Sequence, residues 1–202
     1  FGSYPYPDFK PEALQVGGTI ATVNTPSGSR VSEVGWSGSG GGWSTNSASF
    51  NVRPAWQTGN GVPAINSSNN RRLVPDVAFH AAGSGTGAYP FYINNTLDSG
   101  SYGTSFSSPM FCGSLALIQQ KMIALGGLSP DAQGKRRLGR MQDYVYAQNG
   151  RSDIWYDITS GSNGNLPSEP APRMQIFMRF CPSDGWRRGP AAMSAGRVAE
   201  LV

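Results

Sequence analysis

The chain has 202 residues, among them 27 glycines and 15 prolines, and a formal net charge of +4. This length suits a single domain with one sizeable core, and 11% aromatic residues exclude a chain that is disordered throughout. The low charge content and the many glycines and prolines fit a loop-rich secreted globule better than a helical bundle.

The positive charge is unevenly distributed. Residues 1–170 carry eleven Lys/Arg against ten Asp/Glu, a net of +1, and residues 171–202 carry five against two, a net of +3. The densest basic run, residues 135–137 with Arg140, has no aromatic residues between its charges, so it indicates a solvated surface and no nucleic-acid partner.

No apolar run reaches the length of a transmembrane helix, so we expect no membrane contact. We also expect a monomer.

Sequence features that report on processing are few. Cys112 and Cys181 are too few for a metal site of their own or a disulfide framework. Two N-x-S/T triplets, beginning at Asn66 and Asn94, would accept glycans in a eukaryotic secretory pathway. The chain begins at Phe1 with neither a Met nor a signal peptide, so we expect this start to be a cut.

Short apolar runs alternate with Gly/Ser/Asn/Pro loops over the first 100 residues, which predicts strands with long connections. The predicted strands cover residues 13–16, 31–36, 74–79 and 89–93. Residues 109–125 are apolar on nearly every face, which predicts a buried helix that crosses the centre of the fold and stops at Gly126 and Gly127. Beyond about residue 170 no clear period or turn pattern follows.

The segment G-T-S-F-S-S-P, residues 103–109, precedes this apolar run. A hydroxyl at a helix N-terminus faces unpaired backbone N–H groups and the positive end of the helix dipole, which suits a nucleophile whose attack generates negative charge. The same residues also fit a helix cap, formed by Ser105, Ser107 or Ser108 with Pro109 in the first turn. From this segment alone, both interpretations remain open.

Five further motifs occur in order around this serine segment. They are V-G-G-T at 16–19, S-G-G-G-W-S at 39–44, R-P-A-W-Q at 53–57, R-R-L-V-P-D-V-A-F-H-A-A-G at 71–83 and Y-D-I-T-S-G-S-N-G at 156–164. Together the six motifs resemble the later part of the catalytic domain of sedolisins, the serine-carboxyl peptidases. The resemblance implies an α/β fold with a subtilisin-like parallel sheet flanked by helices, incomplete at its N-terminus. We expect residues 1–170 to form this partial domain and residues 171–202 to be a divergent basic tail, frame-shifted or disordered.

The resemblance also implies an activity. It is that of a serine-type endopeptidase or tripeptidyl-peptidase, which cleaves peptide bonds at acidic pH through an acyl-enzyme on Ser105. Ser39, Gly40, Gly41 and Gly42 would form an edge that pairs with an extended peptide or protein substrate. The expected location is extracellular or an acidic lysosome- or vacuole-like compartment.

A structural calcium ion is implied as well, with Asp157 and the carbonyl oxygen of Ile158 as its first two ligands. The family closes this site with a later segment that ends in G-W-D, where this chain has Met174 and Gln175. Asp184 precedes its tryptophan, so it is not assigned as a ligand. The predicted calcium site is therefore incomplete, and Asp157 fits the cap of a turn equally well.

The catalytic acids of the family lie upstream of V-G-G-T, and only fifteen residues precede Val16. Asp8 and Glu12 lack the flanking pattern of those acids and are predicted to be surface residues. Because a serine hydroxyl needs a base to accept its proton, we expect this chain to be an inactive fragment, the product of a gene-model or exon error or of a frame shift.

Two alternatives to a peptidase remain, a non-catalytic peptide-binding remnant and an unstable fragment. A subtilisin-like serine protease is a further enzymatic alternative. Subtilisins pair the serine with a histidine in an H-G-T setting. The only histidine, His80, lacks that setting and is predicted to be structural.

Overall fold

The computed structural model describes residues 10–24, 26–43, 52–59, 61–62, 64–65, 70–82 and 89–163, and the backbone of 175–178. The described elements, in chain order, are β1 Val16–Val23, β2 Arg30–Gly35, β3 Gly42–Trp43, β4 Leu73–Val74, β5 Val77–His80, β6 Tyr89–Ile93, β7 Thr96–Ser101, α1 Thr104–Ala124, α2 Met141–Ala147, β8 Trp155–Asp157 and β9 Gln175–Met178.

The central sheet has the strand order β2-β1-β5. β1 runs parallel to β5, with Val16 opposite Val77 and Thr19 opposite His80. β2 joins the other side of β1 in the antiparallel sense. The predicted parallel pairing is therefore present between β1 and β5, and the described sheet as a whole is mixed. Three two-stranded antiparallel pairs accompany it, β3–β4, β6–β7 and β8–β9.

Strand positions follow the sequence prediction in part. β6 covers the predicted residues 89–93, and β2 lies within one residue of its prediction. The predicted strand 74–79 is interrupted, since Pro75 and Asp76 separate β4 from β5. The predicted strand 13–16 was wrong, because β1 starts at Val16 and continues through the glycine pair that was interpreted as its end.

The β6–β7 hairpin was not predicted as a unit. Asn94 and Asn95 form its two-residue turn with φ values of 51° and 59°, and Ile93 pairs with Thr96. Two successive residues of positive φ define the tight turn whose twist matches that of the flanking strands. Two consecutive asparagines between strands were the available signal for this turn.

Helix α1 packs on β1 and β5 and contributes Phe111 to the main core. This core consists of Val77, Phe111, Val145, Ile154 and Trp155. It therefore lies where α1, β5, α2 and β8 meet.

The burial expected for α1 was wrong for Met110, Leu117 and Ile123, which are exposed. The buried residues of the helix are Ser107, Phe111, Ser114 and Met122, which fall on one face at about 3.6 residues per turn. The predicted stop is confirmed, because Gly126 has φ 73° and Gly127 N–H donates to the carbonyl of Met122 at 2.8 Å. This bonding pattern closes a helix C-terminus with a left-handed residue. None of the described helices combines the length and the apolar character that a bilayer crossing needs.

A buried ion pair lies beneath the start of β5. Both nitrogens at the end of the Arg72 guanidinium donate to the Asp76 carboxylate, at 2.7 and 2.6 Å, and neither side chain is exposed. Asp76 also accepts the Gln15 N–H at 2.9 Å and the Tyr146 hydroxyl at 2.8 Å. The carboxylate is therefore fully engaged, as a buried charge requires.

The R-P-A-W-Q motif supplies the second layer of this network. Gln57 exchanges two hydrogen bonds of 2.8 Å with the backbone of Leu73 and donates to the Tyr146 hydroxyl. The ring of Trp56 lies 5.0 Å from the Arg72 guanidinium carbon. Burial, with the negative charge of Asp76, raises the pKa of Tyr146 well above its ordinary value. The R-P-A-W-Q motif and the motif at residues 71–83 therefore both have a structural role in the described chain.

Replacing Asp76 tests how much this ion pair contributes to the stability of the fold. Asp76→Asn keeps the shape of the side chain but leaves the buried guanidinium of Arg72 without a counter-charge. We expect a loss of about 3–5 kcal/mol in the free energy of unfolding. Urea unfolding of the full chain, followed by circular dichroism, measures this loss.

The matched control is Asp143→Asn, because Asp143 forms a pair with Arg140 in which both side chains are about half exposed. We expect a much smaller shift of the urea midpoint for this variant. If Asp76→Asn does not fold, Tyr146→Phe removes one hydroxyl from the network, with an expected loss of about 1–3 kcal/mol. Equal shifts for the buried and exposed variants would contradict the assignment.

Candidate functional site

The predicted nucleophile, Ser105, is the second residue of α1. Gly103 occupies the N-cap position with φ 134° and ψ 163°, and no side chain caps the helix. The Ser105 side chain is exposed, and its hydroxyl makes no hydrogen bond within the described part of the chain. The backbone N–H groups of Thr104 and Ser105 have no acceptor inside the helix, so the hydroxyl lies at the positive end of the helix dipole.

The cap interpretation was wrong for all three serines, because the helix starts before them. Ser107 is buried, and its hydroxyl donates to the carbonyl of Thr104 at 3.0 Å. Ser108 is exposed on the first turns of the helix. Pro109 lies inside the helix instead of in its first turn, and without an N–H it cannot donate to the carbonyl of Ser105.

Gly18 of β1 fixes the position of this helix start. A Cβ atom at Gly18 would lie 2.4 Å from the Cβ of Ala81, 2.9 Å from the Trp36 ring and 3.4 Å from the Thr104 methyl group. The Gly103 N–H also donates to the carbonyl of Ala81 at 2.5 Å. The contacts around Gly18 therefore bring together Ala81 after β5, Trp36 after β2 and Thr104 at the start of α1. We call this the Gly18 junction.

An aromatic pair borders the same junction. Trp36 and Tyr102 meet edge to face, with their ring centroids 6.2 Å apart, and Tyr102 is 60% exposed. Gly38 lies directly against the Trp36 ring, since a Cβ there would come within 2.4 Å of it. The sequence interpretation assigned no role to Gly18, Trp36 or Tyr102, although V-G-G-T contained the signal for Gly18.

The predicted substrate segment begins at this junction. The Ser39 hydroxyl accepts the Gly18 N–H at 2.9 Å, so its side chain ties the segment to β1. The Gly40 N–H donates to the carbonyl of Asn163 at 3.0 Å, and Gly42 pairs with Val74 between β3 and β4. Gly41 and Gly42 are buried, whereas Ser39 and Gly40 are partly exposed. The accessible part of the segment is therefore its beginning, close to Trp36.

Gly41 explains why this segment is rich in glycine. Its φ is 152°, and a Cβ there would lie 2.5 Å from the Asn163 amide nitrogen and 2.8 Å from the Val74 carbonyl oxygen. No side chain fits between those two groups. Asn163 belongs to the loop that follows β8, so the structure joins the predicted substrate segment to the predicted calcium loop.

The predicted calcium ligands lie at the end of β8. The side chain of Asp157 is exposed and that of Ile158 is buried, and the β8–β9 register places Gln175 opposite Asp157. Calcium takes 6–8 oxygen ligands, and no cluster of three or more His, Cys, Asp or Glu occurs among the described residues. Because calcium also takes backbone carbonyl oxygens such as that of Ile158, the calcium site at the Asp157 loop stays a prediction. Trp186 and Asp184 lie outside the described residues.

His80 has the structural role that the sequence predicted. Its Nδ1 accepts the Ala21 N–H at 3.1 Å, and its ring lies 5.3 Å from that of Tyr89. The Tyr89 hydroxyl donates to the backbone carbonyl of His80 at 2.5 Å. Burial raises the pKa of Tyr89 to about 12, with a smaller contribution from the charge of Glu33. Glu12 is exposed, as predicted, and Asp8 lies outside the described residues.

A buried glutamate escaped the sequence analysis. Glu33 of β2 accepts the Thr19 hydroxyl at 2.6 Å and lies 3.4 Å from Arg30. The Arg30 guanidinium lies over the ring of Tyr156, 3.5 Å from its centroid. Burial raises the pKa of the Glu33 carboxyl above its ordinary value of 4.5, while Thr19, Arg30 and His80 oppose the rise.

Comparisons with known proteins extend this description. No protein-family model matches the chain. The chain is similar to sedolisin from Pseudomonas sp. (strain 101), 28% identical over 173 residues that cover 80% of this chain and 25% of that protein. It is also similar to xanthomonalisin from Xanthomonas sp. (strain T-22), 30% identical over 167 residues that cover 78% of this chain and 18% of that protein. The chain therefore spans a quarter or less of the length of these relatives.

The fold has a counterpart among solved structures. The structure of Pseudomonas sedolisin, a serine-carboxyl proteinase complexed with two molecules of pseudo-iodotyrostatin, matches with a TM-score of 0.59 and 27% identity. The match covers 80% of this chain and 40% of that chain. The predicted α/β class agrees with this match.

Substitution of Gly18 tests the junction. Gly18→Ala places a methyl group 2.4 Å from the Ala81 Cβ and 2.9 Å from the Trp36 ring, so the surrounding backbone or side chains must shift. We therefore expect a loss of about 1–3 kcal/mol in the free energy of unfolding. The control is Gly113→Ala in α1, where nothing lies within 4 Å of the added Cβ. We expect that control to gain up to about 1 kcal/mol from helix propensity. Urea unfolding measures the stability of both variants. An unchanged stability of Gly18→Ala would show that the close contacts at Gly18 do not constrain this part of the fold.

The raised pKa of Glu33 predicts a pH dependence of stability. Below pH 4.5 the carboxyl is protonated in the folded and the unfolded chain, so its contribution to stability is fully present there. As the pH rises through the folded pKa, the buried group must ionise, and that contribution is lost. We expect the free energy of unfolding of the unaltered chain to fall relative to that of Glu33→Gln over this interval.

Urea unfolding at a series of pH values measures the difference between the two proteins. Glu12→Gln, at an exposed position, controls for the loss of one carboxylate. If the unaltered chain instead became more stable than Glu33→Gln as the pH rises, Thr19 and Arg30 would lower the pKa of Glu33 by more than burial raises it.

Proposed function

Since this chain is related to the sedolisins over about four fifths of its length, we propose that it is the serine-bearing part of an acid-acting serine-carboxyl peptidase. Ser105 is the nucleophile that forms the acyl-enzyme, and peptides or proteins are the substrates. The observation that carries the proposal is the exposed Ser105 hydroxyl at the start of α1, held in place by the Gly18 junction.

The geometry supports the nucleophile because it leaves the hydroxyl accessible. Ser107 uses its hydroxyl inside the helix, whereas Ser105 directs its own toward solvent beside unpaired backbone N–H groups. Such groups stabilise an oxyanion better than bulk solvent when they are already oriented. The helix start can therefore position the attacking oxygen and part of its electrostatic environment.

Proton transfer needs a base, and none contacts Ser105 among the described residues. No described carboxylate or imidazole forms a hydrogen bond with its hydroxyl. Nδ1 of His80 already accepts the Ala21 N–H, which disfavours the subtilisin-like alternative. A general base contributes about 10²–10⁴-fold and an oxyanion donor about 10²–10³-fold, so we propose that this chain alone turns over at least about 10⁴-fold more slowly than a complete peptidase.

Substrate binding is proposed at the accessible beginning of the glycine segment. Ser39 and Gly40 lie next to Trp36, while Gly41 and Gly42 are buried by Asn163 and β4. The N–H groups of Ser39 and Gly40 already donate to the carbonyls of Trp36 and Asn163. An extended peptide would therefore donate to carbonyl oxygens of this segment and bring its scissile bond toward Ser105. The choice between endopeptidase and tripeptidyl-peptidase depends on groups outside the described residues.

The remaining parts of the proposal concern the environment of the protein. We propose an extracellular location for the protein. We propose a monomer, with no nucleic-acid or membrane partner. Structural calcium stays a prediction for the Asp157 loop, and no step of the proposed reaction depends on it.

Labelling by a fluorophosphonate probe tests the nucleophile. We expect the folded chain to be modified at Ser105 in preference to other exposed serines, because the helix N-terminus favours the developing negative charge. Ser105→Ala removes this label, and Ser108→Ala, an exposed serine of the same helix, retains it. Peptide mass spectrometry locates the label, and urea should abolish the preference.

Hydrolysis of a peptide library at acidic pH is the companion measurement. We expect none above background for the chain alone. Cleavage that disappears in Ser105→Ala would show that the chain carries its own base. Uniform labelling of all exposed serines, with peptide binding intact, would favour the non-catalytic binding remnant.

A further inference from the structure

The tip of the β6–β7 hairpin carries the sequence Asn94-Asn95-Thr96. Both asparagines have positive φ, so the turn directs them away from the two strands. Asn94, Asn95 and Thr96 are all exposed. The Asn94 side chain makes no hydrogen bond within the described part of the chain, so its amide nitrogen is accessible.

The residues around this tip are unusually apolar for a surface. Tyr92 and Leu97 pair across the hairpin and are 75% and 53% exposed, and Ile93 is 55% exposed. Tyr92 and Leu97 share one face of the hairpin and Ile93 lies on the other, since successive strand residues point to opposite faces. Exposed apolar groups that lie side by side mark sites where another group is placed. A bulky hydrophilic group attached at the turn would lie next to the Tyr92–Leu97 pair.

The other end of the hairpin is the end that contacts the candidate site. The Tyr89 ring stacks on that of Phe106, the residue after Ser105, with centroids 5.3 Å apart and an interplanar angle of 10°. Phe91 contacts the same ring at 5.5 Å. Ile93 lies four residue steps along the strand from Tyr89, about 14 Å at ~3.4 Å per residue. A group on Asn94 would therefore stand clear of Ser105.

We propose that Asn94 is the acceptor of an N-linked glycan when the chain passes through a secretory pathway that performs this transfer, and that the glycan covers the apolar tip of the hairpin. The co-reactant is a lipid pyrophosphate-linked oligosaccharide. A bond forms between the Asn94 side-chain nitrogen and the anomeric carbon of the sugar, and the bond from that carbon to the pyrophosphate oxygen breaks. The amide proton passes to a base of the transferase, and the lipid pyrophosphate leaves.

Secretion of the full chain from yeast tests the acceptor. Enzymatic deglycosylation converts an occupied asparagine to aspartate, which peptide mass spectrometry detects at position 94. We expect this conversion in the unaltered chain and its loss in Asn94→Gln and in Thr96→Val, which keeps the branched shape of threonine but removes the hydroxyl required by the N-x-S/T motif. Asn95→Gly keeps both the motif and a favourable turn residue, and should remain glycosylated.

Cell-associated protein is analysed alongside secreted protein, so that a variant that fails to leave the cell still reports on position 94. An unmodified Asn94 in the unaltered chain, or a glycan that persists in Thr96→Val, would overturn the proposal. Binding of an apolar dye tests the cover. We expect more dye to bind after deglycosylation, and unchanged binding would overturn the covering role.

Discussion

The buried pair of Arg72 and Asp76 is the interaction on which the described structure depends. Removing two charges from water costs several kcal/mol per ion, so such a pair persists only where every oxygen has a partner. Asp76 meets this condition with two bonds from Arg72, one from the backbone of Gln15 and one from Tyr146. Those partners lie before β1, before β5 and in α2. The pair therefore holds the chain entering β1 beside the chain entering β5.

Parallel pairing of β1 with β5 has a consequence where β5 ends, beside the first half of β1. It brings Gly18 beside Ala81, so that a side chain on Gly18 would collide with Ala81 and Trp36. The carbonyl of Ala81 then accepts the Gly103 N–H, which sets the direction in which α1 leaves the sheet. The position of Ser105 thus follows from contacts that involve neither its hydroxyl nor any catalytic group.

Sequence patterns predicted those parts of the fold in which local chemistry decides the conformation. Residues 89–93 became β6, and Gly126 ended α1, because strand patterning and a left-handed glycine act locally. The start of α1 was misplaced because serine is a common N-cap, whereas Gly103 takes that position through its bond to Ala81, 22 residues earlier in the chain.

Long-range packing accounts for the remaining differences. The glycine pair in β1 was interpreted as a strand end, and only the approach of Ala81 and Trp36 shows why Gly18 lies within the strand. The location of Ser105 near the start of a helix was predictable because its motif is contiguous, whereas Trp36 and Tyr102 become neighbours only in the fold. An exposed helix N-terminus stabilises a nearby negative charge by about 0.3–1 kcal/mol. A general base stabilises the transition state by about 3–5 kcal/mol. Positioning of Ser105 therefore cannot replace a base, and the reactivity of this serine depends on the group that accepts its proton.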